Sequence, residues 1–214
     1  MIRSTEEFRE SFKAMHRSGT PLVLIRTADP ASAVKQITEV LSNGTGVSPL
    51  LTWDLMNGLA GLNGSGREAV AKSLSERAAS IGPADALAAS GNLPDDAVLF
   101  FHNAQRFWES PDVLQAIWNL RDAFKCRGQM LLLLGSPGAT MPVELQPHIS
   151  VLDEPLPSTS ELRELARSTF EAAEIPEPSN DALDSIVDAL IGLAAFPAEQ
   201  VLAMSLSRSG VDLN

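Results

Sequence analysis

A strand that feeds a helix is where a folded chain most readily holds phosphate, because backbone N–H groups and the helix N-terminus converge there. Residues Ile25-Arg26-Thr27-Ala28-Asp29-Pro30 stand at such a junction. They contain no glycine and no lysine followed by Ser or Thr, so a phosphate-cradling loop cannot be written across them. Asp29 puts a carboxylate where a phosphate would sit, and its ordinary role is to cap the helix that Pro30 opens. A second junction, Phe101-His102-Asn103-Ala104-Gln105, follows a continuous apolar run. Magnesium-dependent hydrolysis of a nucleoside triphosphate needs one carboxylate there to hold the metal and another to orient water. His102 and Asn103 offer hydrogen bonds but no anionic ligand, and a catalytic His102 needs an orienting partner that the sequence does not place.

The remaining candidates each have a plain structural role beside the chemical one. Gly58, Gly61, Gly64 and Gly66, with Arg67 as counterion, look like a phosphate cradle, but their spacing fits neither the dinucleotide nor the triphosphate fingerprint. They read as a mobile turn or a partner-facing loop. Trp53 with Asp54 reads as a core aromatic beside a solvated carboxylate, or as a peptide contact together with Asn57. Phe107 and Trp108 either pack a helix on a sheet or meet a protein. Gly135-Ser136-Pro137 reads as a turn ending a strand, and His148 as structural or exposed. The single cysteine, Cys126, excludes an internal disulfide and a cysteine-cluster metal site, and it lacks a local base. No catalytic residue, cofactor-binding residue or metal ligand is assigned. The candidate interaction sites are Trp53, Asp54, Asn57, Arg67, His102, Asn103, Phe107 and Trp108.

Composition narrows the partners. The 214 residues are 44% hydrophobic, enough for a sizeable core, and carry a formal charge of −11 with no basic cluster. That field disfavours nucleic acid and anionic membranes. The polar, acidic N-terminus lacks the apolar stretch of a signal peptide, and no apolar run is long enough to span a bilayer, so a cytoplasmic location is expected.

The elements that must position these residues follow from periodicity. Ser4 and Glu7 box the start of a helix to about Arg17. Strands are expected at 21–25, 49–53, 97–101, 130–134 and 148–152, and helices from Pro30, over 67–80, from Pro83 and over 111–126. The break after the Pro30 helix falls at 42–46. In the 111–126 helix, Leu114, Ile117, Trp118 and Phe124 form the expected buried stripe. Apolar strands alternating with helices predict a three-layer α/β core with a parallel sheet over residues 1–155. From Pro157 the signals are all helical: 161–173, 181–193 and 198–207, the last with Val201, Leu202 and Leu206 inward, predict a small lid over 156–214.

In this order the elements resemble an AAA+ nucleotide-binding module. More narrowly, the chain is similar to the P-loop-lacking N-terminal module of the AAA+ ATPase family first catalogued from a conserved chloroplast reading frame. The marks are Pro21-Leu22-Val23-Leu24-Ile25-Arg26-Thr27-Ala28-Asp29, Trp53-Asp54-Leu55-Met56-Asn57-Gly58-Leu59 and Val98-Leu99-Phe100-Phe101-His102-Asn103. Leu120-Arg121-Asp122-Ala123-Phe124-Lys125, Leu131-Leu132-Leu133-Leu134-Gly135-Ser136-Pro137, and Pro155-Leu156-Pro157 leading to Glu161-Leu162-Arg163-Glu164-Leu165 continue them.

The resemblance implies a P-loop-NTPase-like fold in which His102 and Asn103 stand approximately where a competent module has its two acids. Ser136 stands loosely at the sensor position, and no arginine finger lies in 143–148. It also implies a second module with the ATPase motifs, to which ATP and magnesium would belong, so this chain is expected to be the N-terminal part of a longer protein. The expected function is a non-catalytic regulatory, assembly or protein-interaction module whose partner is another AAA+ module or subunit, or an unidentified protein. The alternatives are a stand-alone protein-binding or inhibitor domain and an unconventional ATP-dependent enzyme.

Overall fold

The short apolar runs line up as one sheet. The computed structural model describes residues 4–42, 48–73, 82–176, 178–207 and 210–211. Strands β1 (Leu22–Arg26), β2 (Leu50–Asp54), β4 (Val98–Phe101), β5 (Met130–Gly135) and β6 (Ser150–Asp153) are parallel, and β3 (Gly58–Gly61) runs antiparallel to β2 at the edge. Their order is β3-β2-β4-β5-β1-β6. Every residue of β4 and β5 is buried, which requires cover on both faces. That cover comes from helices α2 (Pro30–Ser42), α3 (Gly64–Ser73), α4 (Pro83–Ser90) and α5 (Pro111–Arg127), the outer layers of a three-layer α/β core; α1 (Thr5–Arg17) precedes β1. Arg9 and Glu39 pair at 2.6 Å and tie α1 to α2.

The larger unit runs from Arg9 to Glu154, and the chain from Pro155 onward, with its first residues up to Phe8, forms a second unit. In that second unit α6 (Thr159–Ala172), α7 (Asn180–Leu190) and α8 (Ala195–Ser205) pack around Leu162, Phe170, Ile186, Leu190 and Leu202, followed by a small ribbon of β7 (Leu206–Ser207) and β8 (Gly210–Val211). Ser158 and Glu161 form the capping box of α6: each side chain accepts a hydrogen bond from the other residue's backbone N–H. Arg163 and Asp184 join α6 to α7.

Several expectations are corrected. The glycine run, expected as a loop, is regular structure over most of its length: Gly58–Gly61 is strand β3, and Gly64 begins α3. Its residues are small because two segments pass close together, as a Cβ on Gly61 would lie 2.2 Å from the Arg67 backbone nitrogen. The expected helix 67–80 is described only to Ser73. Residues 74–81, and residues 43–47 where most of the helix break falls, lie outside the described residues. The last core strand starts at Ser150 rather than His148, because His148 and Ile149 N–H still bond Leu145 in a turn. In α8, Val201 is exposed and Ala198 with Leu202 faces inward.

Trp118 is also corrected. It is 42% exposed, while Val113, Ile117, Leu120 and Phe124 make the buried stripe. Spacings of four, three and four residues give that stripe a narrower arc than the one including Trp118. The indole instead meets the His148 ring edge-on at 4.4 Å with the Arg121 guanidinium 5.7 Å from its centroid. Trp118→Ala should therefore lower stability by about 1 kcal/mol or less. A urea midpoint shifted as far as a buried tryptophan's, about 3–5 kcal/mol, would contradict this placement.

Candidate functional site

The C-terminal ends of the parallel strands gather most of the polar candidates. Strand order places β1 beside β5, yet the chain leaves β1 for β2 and leaves β5 for β6 on the other side of β1. With right-handed crossovers the two loops depart to opposite faces, and the crevice between them is where such sheets hold ligands.

Here the residues at that junction bond to one another. Only Thr27, Ala28 and Asp29 separate β1 from α2. Thr27 is 2% exposed; its N–H donates to the Gly135 carbonyl at 2.9 Å, and its hydroxyl oxygen accepts the Asp29 N–H at 2.8 Å. Asp29 Oδ1 accepts the Ser32 N–H at 3.1 Å, capping α2. From the end of β6, Glu154 reaches in: its N–H donates to the Arg26 carbonyl at 2.9 Å, and its carboxyl accepts from the Thr27 hydroxyl, the Ser32 hydroxyl at 3.1 Å and the Gln36 amide at 2.8 Å. Burial holds the Glu154 carboxyl above the usual carboxylate range. The hydrogen bonds from Thr27, Ser32 and Gln36 oppose this, and the Asp29 charge adds to it. Alongside, Arg26 grips Asp153 through two bonds of 2.5 and 2.8 Å. On the β5 side, a Cβ on Gly135 would meet Ala139, Leu24 and the Gln105 Oε1 at 3.1 to 3.4 Å, and that Gln105 oxygen is buried without a partner among the described residues.

A second group lies at the ends of β2 and β4. Register sets Trp53 beside Phe101, with rings stacked at 4.3 Å, and Phe107 closes on both edge-on at 5.6 and 5.8 Å. Phe107 and Trp108 end the short 3-10 turn after β4, where both pack on the core; the Trp108 indole nitrogen is buried with no partner among the described residues. Asp54 Oδ1 accepts the Met56 and Asn57 N–H groups at 2.8 Å each, and Oδ2 accepts the Asn57 amide at 2.9 Å. The Asn57 side-chain amide, with these backbone donors, holds Asp54 below its ordinary value. His102 donates its N–H to the Trp53 carbonyl at 3.0 Å. Burial pushes its imidazole toward the neutral form, against the pull of Asp54. Asn103 is exposed in the left-handed region at φ 55°, starting the 3-10 turn.

The structure thus brings Trp53, Asp54, Asn57, His102, Asn103 and Phe107 to one sheet edge. Arg67 sits apart, exposed on α3, with no ion pair to this group among the described residues. Among those residues no three His, Cys, Asp or Glu side chains converge as a metal site, and no helix is long and apolar enough to cross a membrane. Sequence reasoning missed Glu154 and its partners. The available signal was a carboxylate ending a strand run, opposite the polar junction after β1.

The family model described as SpoVK-like AAA ATPase, N-terminal domain, matches residues 8–154, the strands and helices just described. The chain belongs to that family. The SpoVK-like domain has no match among curated proteins. Two solved single-substitution variants of Thermotoga maritima RuvB align over 94% of it and 63% of their own length, with 13% identity and a TM-score of 0.57. A third aligns over 93% and 59%, with 14% identity and a TM-score of 0.55. The SpoVK-like domain therefore has the AAA+ core, a mostly parallel P-loop-NTPase-like sheet, followed by the helices of a lid. It spans about three fifths of the length of those structures.

Proposed function

We propose that this chain is a non-catalytic AAA+-like module, the N-terminal part of a longer AAA+ ATPase of the chloroplast-reading-frame lineage, and that it acts in assembly or partner engagement. The observation that carries the reading is the turn between β1 and α2. Its three residues leave no span to wrap a triphosphate, and the N–H groups of Thr27, Asp29 and Ser32 already donate to Gly135, Thr27 and Asp29. Two carboxyl groups, Asp29 and Glu154, stand where phosphate oxygens would have to lie. These residues do not fit a nucleotide. At the second position His102 and Asn103 supply no hard anionic oxygen for magnesium. The partner proposed is another AAA+ module or subunit rather than nucleic acid, in keeping with the −11 charge.

Calorimetry of the 214-residue chain with ATP, with and without magnesium, should give only background heat, and phosphate release should match buffer. Stoichiometric micromolar binding strengthened by magnesium would overturn the reading. In a longer natural chain, deleting this module should alter assembly or partner capture while nucleotide binding elsewhere persists.

A second reading, a stand-alone protein-interaction domain, draws on the β2–β3 turn, where Asp54 and Asn57 hold Leu55 and Met56 outward at 65% and 88% exposure. A stable complex with an unrelated protein, lost on replacing both side chains by serine, would favour it.

A further inference from the structure

Glu154 is the last residue of the core unit; it is half-buried, and its carboxyl turns back onto side chains of that unit. It is held at four points: by its N–H on Arg26, and by the Thr27 hydroxyl, the Ser32 hydroxyl and the Gln36 amide on its carboxyl oxygens. Among the described residues, the charged side chains on the surrounding elements do not neutralise it. On β1 and β6, Arg26 and Asp153 satisfy each other. On α2, Glu39 is paired with Arg9 of α1, and Lys35 is exposed. The remaining charge, Asp29 in the turn, has the same sign as an ionised Glu154 and adds to the cost of its burial. A carboxylate here is partly desolvated, near a like charge, and among the described residues compensated by neutral donors.

We propose that Glu154 is a proton-controlled latch at the point where the chain leaves the core: protonated, it stays seated on Thr27, Ser32 and Gln36; ionised beside Asp29, it favours its own release to solvent. This stands whether or not the module binds nucleotide. The neutral acid keeps the seat intact. Oε1 still accepts from Ser32 and Gln36. The new Oε2–H donates to the Thr27 hydroxyl oxygen, which turns its own hydrogen away while continuing to accept the Asp29 N–H. The sign follows from linkage. The closed latch binds its proton more tightly than the open one, so closure is most favoured at low pH. That advantage is lost as pH rises from the ordinary glutamate range through the raised value, after which the ratio levels off. Across that window the open-to-closed ratio should rise with pH, by no more than about tenfold per pH unit, the limit set by one proton.

Amide hydrogen exchange at residues 27–33 and 153–154, corrected for intrinsic rates, measures the latch, with amides of β4 and β5 reporting whether the core stays folded. The unmodified chain should open progressively as pH rises through the window, by up to about tenfold per pH unit, and level off above it, and Glu154→Gln should show a flat profile. Asp29→Asn, which still caps α2, should end the rise at lower pH by removing the like charge. Carbon-13 resonances of the Glu154 carboxyl should titrate above those of exposed glutamates. Protection independent of pH, an unchanged pH response in Glu154→Gln, or titration of Glu154 with the exposed carboxyls would each overturn the proposal.

Discussion

Replacing Trp53 by alanine is expected to destabilise the core by about 3–5 kcal/mol, the usual cost of truncating a buried tryptophan. Trp53 is fully buried. Its ring lies 10° from parallel with Phe101 at 4.3 Å, and Phe107 stands edge-on to both, so the truncation removes one member of a three-ring stack as well as apolar area. The loss is a large share of the stability of an ordinary domain. It should also loosen the strand ends, because the Trp53 carbonyl accepts the His102 N–H and the next residue, Asp54, organises the β2–β3 turn. Urea unfolding followed by circular dichroism checks it, with Trp53→Phe expected to recover part of the loss. A Trp53→Ala midpoint equal to that of the unmodified chain would remove Trp53 from the core.

The reach of sequence reasoning had physical limits. Strands β1, β4 and β5 announce themselves because parallel strands buried on both faces must be apolar throughout, and Leu22–Ile25, Val98–Phe101 and Met130–Leu134 are. Strand β3 does not, because Gly58-Leu59-Ala60-Gly61 carries the composition of a turn; only its pairing with Leu51–Asp54 makes it a strand. The face of α5 was ambiguous for a different reason. Leu114, Ile117 and Trp118 span a wide arc, and which third of it meets the sheet is decided by packing, not by period. The polar seat of Glu154 was illegible because it depends on register: pairing Arg26 with Asp153 sets Glu154 beside Thr27, some 127 residues away along the chain. Among the site candidates, Trp53, Asp54, Asn57 and His102 could be singled out by type, but their meeting required knowing that β2 lies next to β4.

Gly66→Ala should cost about 2–4 kcal/mol, by overpacking and by the hydrogen bonds it displaces, although glycine to alanine inside a helix ordinarily gains about 0.5–1 kcal/mol. The reversal comes from where α3 lies. A Cβ on Gly66 would stand 2.0 Å from the Leu50 carbonyl oxygen and 2.9 Å from Asn63 Oδ1, and the first of these is backbone at the start of β2. The same carbonyl accepts the Leu62 N–H at 2.8 Å, and Asn63 Oδ1 accepts the N–H groups of Leu50 and Gly66 at 3.1 and 2.7 Å. Moving α3 away to admit the methyl group would break these bonds and lift Ala69 from the core. Two residues earlier, a methyl group on Gly64 would have no neighbour within 4 Å. Gly64→Ala should therefore be neutral or slightly stabilising. The pair separates helix propensity from close approach: measured by urea denaturation, the two substitutions should move the midpoint in different directions or by very different amounts. Equal shifts would mean that α3 does not rest on β2 at Gly66, and that the glycines after Leu59 serve the turn alone.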